Sequence, residues 1–131
     1  MCMNRIVTGL LVFVALFILL GTACGSGSSG NGRVVAITQT DDGCTPQTVP
    51  AASGEKLTFK IENQGKKDHE FEGVNGTKVP EVEVPAGHTR SVDYTAPKQP
   101  GTSQQIKCYI PNGSTTMITV TVSPQPIPSG T

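Results

Sequence analysis

The chain has 131 residues, 10 basic and 10 acidic side chains, and no tryptophan. This length allows one domain, so it excludes a large α/β enzyme and a multi-pass membrane protein. The charges are interspersed along the chain, and the sequence therefore indicates no basic surface for binding nucleic acid. Apolar residues are concentrated in the first 23 positions, and the remainder is a small, near-neutral module.

The N-terminal segment has the features of a bacterial export signal. Arg5 provides a short positive region, and the apolar run from Ile6 to Leu20 is shorter than the roughly twenty residues of a membrane span. The sequence LGTAC, from Leu20 to Cys24, resembles a bacterial lipobox. We therefore predict a lipoprotein signal peptide over residues 1–23 and lipidation of Cys24. An ordinary secretory signal is the alternative.

A short Gly/Ser segment follows the predicted lipidation site. Residues 24–32 comprise Cys24 and a run rich in glycine and serine, which predicts a flexible tether holding a domain away from the bilayer of the bacterial cell envelope. Extracytoplasmic compartments favour disulfide bonds. Cys2 leaves with the signal peptide, so a lipidated Cys24 leaves Cys44 and Cys108 as the two thiols of the folded domain.

The rest of the chain predicts β-strands separated by turns. Apolar residues alternate with polar ones in several short runs, which is the period of a half-buried strand. The runs lie at Val34–Ile37, Leu57–Ile61, Val82–Val84, Val92–Tyr94, Ile106–Ile110 and Ile118–Val122. Their spacing predicts an antiparallel sandwich or barrel over residues 33–123. The Pro-rich residues 124–131 cannot continue a strand ladder, and we expect a loose tail.

Three patterns in chain order carry a family resemblance. They are CTPQTV from Cys44 leading to SGEKLTF from Ser53, HEFE from His69 six residues after Asn63, and CYIPNGSTTM from Cys108 to Met117. Together they resemble a cupredoxin domain, and the resemblance covers nearly all of residues 33–123. It implies a fold of the all-β class, a cupredoxin-like Greek-key β-sandwich forming a single small domain.

The chain departs from the common cupredoxin pattern at two positions. Gly113 stands where a second histidine ligand is expected after the cysteine, and Cys44 stands where the family usually has a core aromatic residue. Both departures are similar to the cupredoxin-like subfamily of EfeO-type periplasmic iron-transport lipoproteins. That resemblance implies binding of copper or ferric ion through Cys44, Cys108 and Glu70.

The candidate site residues allow two metal sites. A blue-copper site would use His69, Cys108 and Met117, but it requires a second imidazole, and His88 lies in a turn where we expect it to be exposed. A thiolate site would use Cys44, Cys108 and Glu70 to hold copper, ferric ion or zinc. On a regular strand His69 and Glu70 point to opposite faces, so the two sites compete unless a bulge redirects one side chain.

A disulfide between Cys44 and Cys108 is the third reading. It suits an extracytoplasmic compartment and leaves no odd thiol in the domain. As a static bond it would sequester both thiolates, and the protein would then carry no metal.

We predict a membrane-anchored, extracytoplasmic metal-binding protein rather than an enzyme. The expected ligands are copper or ferric ion, and the expected partners are the lipid bilayer, through acylated Cys24, and a redox or metal-transport protein. We expect a monomer. The alternative function is a structural or protein-interaction module stabilised by the Cys44–Cys108 disulfide.

Overall fold

A computed structural model describes residues 32–124 as nine β-strands connected by turns and loops. The strands are β1 (Arg33–Thr40), β2 (Gly43–Thr45), β3 (Thr48–Ala52), β4 (Lys56–Asn63), β5 (His69–Val74), β6 (Val82–Val84), β7 (Thr89–Thr95), β8 (Ser103–Tyr109) and β9 (Thr115–Ser123). Every predicted strand is present. The strands β2, β3 and β5 were not among the predicted runs, because none of them contains a run of alternating apolar residues long enough to identify it.

The strands form two mixed sheets, which confirms the predicted all-β sandwich, although two parallel pairs depart from the antiparallel pairing that the strand spacing predicted. One sheet has the order β2-β1-β4-β7 and the other the order β3-β9-β8-β5-β6. The pairs β1–β4 and β3–β9 are parallel, and the remaining pairs are antiparallel. Between β1 and β4 the chain crosses into the second sheet through β3 and then returns. Such a crossover is what brings two strands of one sheet into parallel pairing.

The core lies between the inner faces of the two sheets. In β4 the side chains of Leu57, Phe59 and Ile61 are buried while their polar neighbours face outward, as their alternation predicts. Phe59 lies near the centre, with its ring centroid 5.6 Å from that of Phe71 and 5.7 Å from that of Tyr94. These tilted aromatic contacts connect β4 to β7 in its own sheet and to β5 in the other sheet.

Polar residues end the buried series of several strands at the same end of the sandwich. In β1 the buried series is Val35, Ile37 and Gln39, and in β4 it ends with Asn63, which pairs with Gln39. The Asn63 side chain donates to the Lys67 and Val84 carbonyl oxygens at 2.8 Å each and accepts from the Gly65 N–H at 2.9 Å. These bonds fix the loop that leads into β5.

Several predicted features lie outside the described residues. They are the signal peptide over 1–23, lipidation of Cys24, most of the 24–32 tether and the tail after Pro124, and they stay predictions. Within residues 32–124, no helix is long and apolar enough to cross a bilayer.

Candidate functional site

Two cysteines from different sheets meet at the polar end of the sandwich. Cys44 lies on β2 and Cys108 on β8, and the two form a disulfide with a Cα–Cα distance of 6.4 Å. Both side chains are buried, with 2% and 1% of their surface exposed. The bond joins residues 64 positions apart and links an edge strand of one sheet to an interior strand of the other.

His69 joins this pair as the first residue of β5. A ligand atom of its ring and the two cysteine sulfurs all lie within 4.8 Å of one another. The side chain is 1% exposed, and neither ring nitrogen has a hydrogen-bond partner. Burial lowers the pKa of His69, although the nearby Asp41 carboxylate opposes this effect. The imidazole is therefore held neutral, which is the form that binds metals.

Asp41 is the acidic neighbour of the histidine and connects two loops. Its Oδ1 lies 3.9 Å from His69 Nε2 and accepts the backbone N–H groups of Lys66 and Lys67 at 2.9 and 3.2 Å. Burial acts to raise the pKa of Asp41, but these two backbone donors hold it below its ordinary value. Asp41 therefore remains a carboxylate that ties the β1–β2 turn to the loop before β5.

Gln39 contacts the disulfide from β1 and was missed by the sequence analysis. Its side chain is fully buried, and Nε2 donates to Cys108 Sγ at 3.2 Å while Oε1 has no partner. A signal for it was present in the sequence, because Gln39 continues the inward series of Val35 and Ile37. A polar residue at an inward position needs a buried partner.

The chemistry of these side chains is compatible with a metal ion. Within residues 32–124, four buried side-chain N/O atoms lack a hydrogen-bond partner, and three of them belong to Gln39 and His69. Each such atom costs about 1–3 kcal/mol when nothing compensates it, so a ligand at this point would be stabilising. Two thiolates and one neutral imidazole form a donor set that metals accept, provided that the disulfide is reduced.

Glu70 does not join the cluster. It follows His69 on β5, so its side chain points to the outer face of the sheet, where Tyr109 Oη–H donates to Glu70 Oε2. The register pairs Glu70 with Tyr109 and, on the other side, with Glu83. Strand alternation thus separates the two neighbours, and no bulge redirects Glu70 toward Cys44 and Cys108.

Met117 also lies away from the cluster. In the β8–β9 hairpin Thr116 pairs with Cys108, whereas Met117 pairs with Lys107 on the outer face and is 38% exposed. The inward neighbour Thr116 instead accepts the Cys44 N–H at 3.3 Å. Met117 therefore lies on the opposite face of the sheet from Cys108, and its side chain is not placed as an axial ligand.

A second imidazole is likewise missing from the cluster. His88 is exposed in the turn between β6 and β7, with Nδ1 3.0 Å from the Ala86 carbonyl oxygen, and Gly113 lies in the β8–β9 turn. The residues present therefore do not fit a blue-copper centre of two imidazoles, a thiolate and an axial thioether. They fit a site of two thiolates and one imidazole.

Comparison with known proteins identifies the architecture. The family model described as a cupredoxin-like domain matches residues 10–120. No curated protein sequence matches the chain.

Solved structures share the fold at low sequence identity. Reduced auracyanin from Roseiflexus castenholzii is similar with a TM-score of 0.56 and 15% identity, over 72% of this chain and 100% of its own. Auracyanin B gives a TM-score of 0.57 and 14% identity, over 73% of this chain and 91% of its own. The copper nitrite reductase from Nitrosomonas europaea gives 0.59 and 11%, over 75% of this chain and 51% of its own.

Proposed function

The chain belongs to the cupredoxin-like domain family, and from this premise we propose that it is a copper-binding protein whose site is Cys44, His69 and Cys108 in the reduced state. The observation that carries the proposal is the convergence of three buried ligand atoms within 4.8 Å, around a histidine whose ring nitrogens have no partner. A binding protein, rather than an enzyme, is the function that this small buried site supports.

The donor set favours copper over ferric ion. Thiolates are soft ligands that select copper(I) or zinc, and imidazole suits both metals, whereas ferric ion would gain from a carboxylate. In the resemblance to the iron-transport lipoproteins, the carboxylate ligand is Glu70. Its side chain lies on the outer face of the sheet and accepts a hydrogen bond from Tyr109. Ferric ion therefore becomes the weaker candidate.

The oxidation state of the cysteines decides whether the site can bind a metal. In the structure the sulfurs are bonded to each other, and a disulfide sulfur is not the thiolate that a metal requires. Reduction would release two thiolates beside a histidine that burial keeps neutral. We propose that the disulfide form is the metal-free, structurally closed state of the protein.

The location and partners of the protein form a second part of the proposal. The lipobox-like sequence ending at Cys24 and the Gly/Ser run after it support a domain tethered to the outside of a bacterial membrane through an acylated cysteine. A monomer at that position could exchange copper or electrons with a redox or metal-transport protein. Mass spectrometry of the membrane-extracted protein, with a diacylglyceryl adduct on Cys24, would test the anchor.

Copper(I) titration of the full chain tests the metal site. The protein, with Cys2→Ser and Cys24→Ser to remove other thiols, is titrated in its reduced and oxidised forms against a chromogenic copper(I) chelator. We expect one equivalent bound by the reduced form and none by the oxidised form. His69→Ala should weaken binding at least tenfold, whereas the matched variant His88→Ala should leave it unchanged, because His88 lies in an exposed turn.

The same titration distinguishes copper binding from the alternative functions. Equal copper binding by reduced and oxidised protein, or by His69→Ala and the parent, would contradict the proposed ligands. Tighter binding of zinc than of copper(I) would identify the site as a zinc site. No binding by folded, reduced protein would favour the alternative of a structural or interaction module, which the Cys44–Cys108 bond itself supports.

A further inference from the structure

The two cysteines of the disulfide lie in different surroundings. A surface cleft of about 200 Å³ is lined by Cys44 together with Asp42, Gly43, Thr45 and Thr116, among others. Cys108 does not line this cleft, and it lies on β8 between β5 and β9 in the middle of the five-stranded sheet. Both side chains are buried, but Cys44 lies on the edge strand β2 and borders the cleft, so a small local opening of this edge would expose the Cys44 side of the bond first.

Gly43 shapes the backbone next to Cys44 at the cleft. Gly43 has a φ of +151°, and a Cβ at this position would lie 2.7 Å from Thr116 Oγ1. The Thr116 hydroxyl in turn accepts the Cys44 N–H. Glycine thus allows β2 to approach β9 closely at the residue before Cys44, with no side chain of its own in the cleft that Gly43 and Cys44 line.

The Cys108 sulfur has a hydrogen-bond donor in place that would stabilise negative charge on it. Gln39 Nε2–H points at Cys108 Sγ at 3.2 Å, from a side chain with no exposed surface. A hydrogen bond to an anionic acceptor is roughly twice as strong as one to a neutral acceptor. The contact will therefore strengthen as Cys108 changes from a disulfide sulfur to a thiolate.

We propose that this cleft is the entry site for a thiol reductant, with Cys44 as the attacked sulfur and Cys108 as the leaving group. The inference deepens the copper proposal, because it assigns the step that would open the metal site. A reductant thiolate attacks Cys44 Sγ and forms a mixed disulfide, and the Cys44–Cys108 bond breaks with its electron pair on Cys108. The Gln39 amide donates to the thiolate that is formed.

A second thiol of the reductant completes the reaction. This thiol attacks the reductant sulfur that is bonded to Cys44. Cys44 then leaves as a thiolate, and the reductant becomes a disulfide. Two electrons pass from the reductant to the protein. The substrate class is thus a dithiol, or two equivalents of a monothiol, with a sulfur small or projecting enough to enter the cleft.

Mapping the mixed disulfide tests the direction of attack without a variant in the site. The oxidised full chain is treated with limiting glutathione or with a thioredoxin whose second cysteine is serine, then quenched with acid and alkylated before peptide mass spectrometry. We expect the adduct on Cys44 and the alkyl group on Cys108, in at least tenfold excess over the reverse. A faster reaction with one reagent identifies the source of the thiol.

A variant pair tests the donor to the leaving group. Gln39→Leu keeps the side-chain volume and removes the N–H, and we expect a fivefold to tenfold slower formation of the Cys44 adduct. The matched control Gln104→Leu changes a glutamine whose amide donates to the Ser103 carbonyl and should react at the parent rate. Circular dichroism and the urea midpoint confirm that both variants are folded.

The outcomes keep this inference apart from copper binding. An adduct on Cys108, equal adducts on both cysteines, or reaction only at urea concentrations that unfold the chain would overturn the cleft as the entry site. An unchanged rate in Gln39→Leu would overturn the role of the donor. Neither experiment involves a metal ion. The copper titration of chemically reduced protein therefore tests the copper proposal independently of them.

Discussion

The two faces of strands β5 and β8 differ in how their polar groups are satisfied. On the inner face, Gln39 of β1 donates to Cys108 and a ring nitrogen of His69 lies within 4.8 Å of the same sulfur, and three buried polar atoms of Gln39 and His69 have no partner. On the outer face, Tyr109 donates to Glu70, and Lys107 Nζ lies 2.5 Å from a Glu72 oxygen.

The difference indicates where a ligand belongs. The outer network is exposed or half-buried, so its charges pair with one another and with water at little net gain in stability. The inner atoms are cut off from water, and an unpartnered atom there is costly. A buried polar cluster with unpartnered atoms is therefore the better sign of a functional site than the acidic face beside it.

Truncating the inner face should have the largest effect on stability. Phe71→Ala removes a fully buried ring packed against Phe59, and we expect a loss of about 4 kcal/mol in the free energy of unfolding. Glu72→Ala, the next residue on the outer face, should cost less than about 1 kcal/mol. Urea denaturation measures both, and similar losses would mean that the faces are not energetically distinct.

Breaking the covalent link should have the next largest effect. Reduction of the Cys44–Cys108 bond, which spans 64 positions, should lower the free energy of unfolding by about 3 kcal/mol through the greater freedom of the unfolded chain. Denaturation with and without a dithiol reductant gives the difference. A reduced protein as stable as the oxidised one would show that strain in the bond cancels its benefit.

The outer hydrogen bond should contribute little. Tyr109→Phe removes the hydroxyl that donates to Glu70, and because the pair is only partly buried we expect a loss of less than about 1 kcal/mol. Gln39→Leu is the matching variant on the inner face, because it also removes a single hydrogen-bond donor. A loss in Tyr109→Phe as large as that in Phe71→Ala would contradict the assignment of this face as weakly coupled.

Titration of the outer face should give the smallest effect. A shared hydrogen bond with Glu70 and repulsion from Glu70 and Glu72 raise the pKa of Glu81. Ionisation of Glu81 is thus harder in the folded protein, so stability falls as the pH rises from the ordinary carboxyl value through the raised one.

Removing the neighbouring charge tests that coupling. In Glu70→Gln the pKa of Glu81, measured by carboxyl NMR, should fall toward its ordinary value. Glu62→Gln, on the other sheet, is the control and should leave it unchanged. A Glu81 titration that is the same in both variants would show that the acidic residues of this face do not interact.

Much of the fold could be predicted from the alternation of apolar residues. Leu57, Phe59 and Ile61 are buried as the alternation requires, since side-chain direction in a strand repeats every two residues. The same rule anticipated that His69 and Glu70 would separate. It could not identify the parallel pairing of β1 with β4, because that depends on how the chain crosses between sheets.

The candidate site was predicted only in part. Cys44, His69 and Cys108 were recognised and do converge, whereas Glu70 and Met117 face outward. Met117 was predicted as a ligand from its spacing to Cys108, but the register of the β8–β9 hairpin puts its side chain on the outer face. Gln39 and Asp41 were missed as neighbours of the site, because their contacts join segments far apart in the chain.

In the strands with alternating apolar residues, the sequence by itself determined which side chains would be inside, because that property is local and has a fixed period. Only the tertiary structure decided which inward groups meet. Cys44 reaches Cys108, and Gln39 reaches the same sulfur, because two sheets pack face to face with β2 at the edge of one and β8 inside the other. The meeting of these residues depends on the packing of both sheets, and no local pattern encodes it.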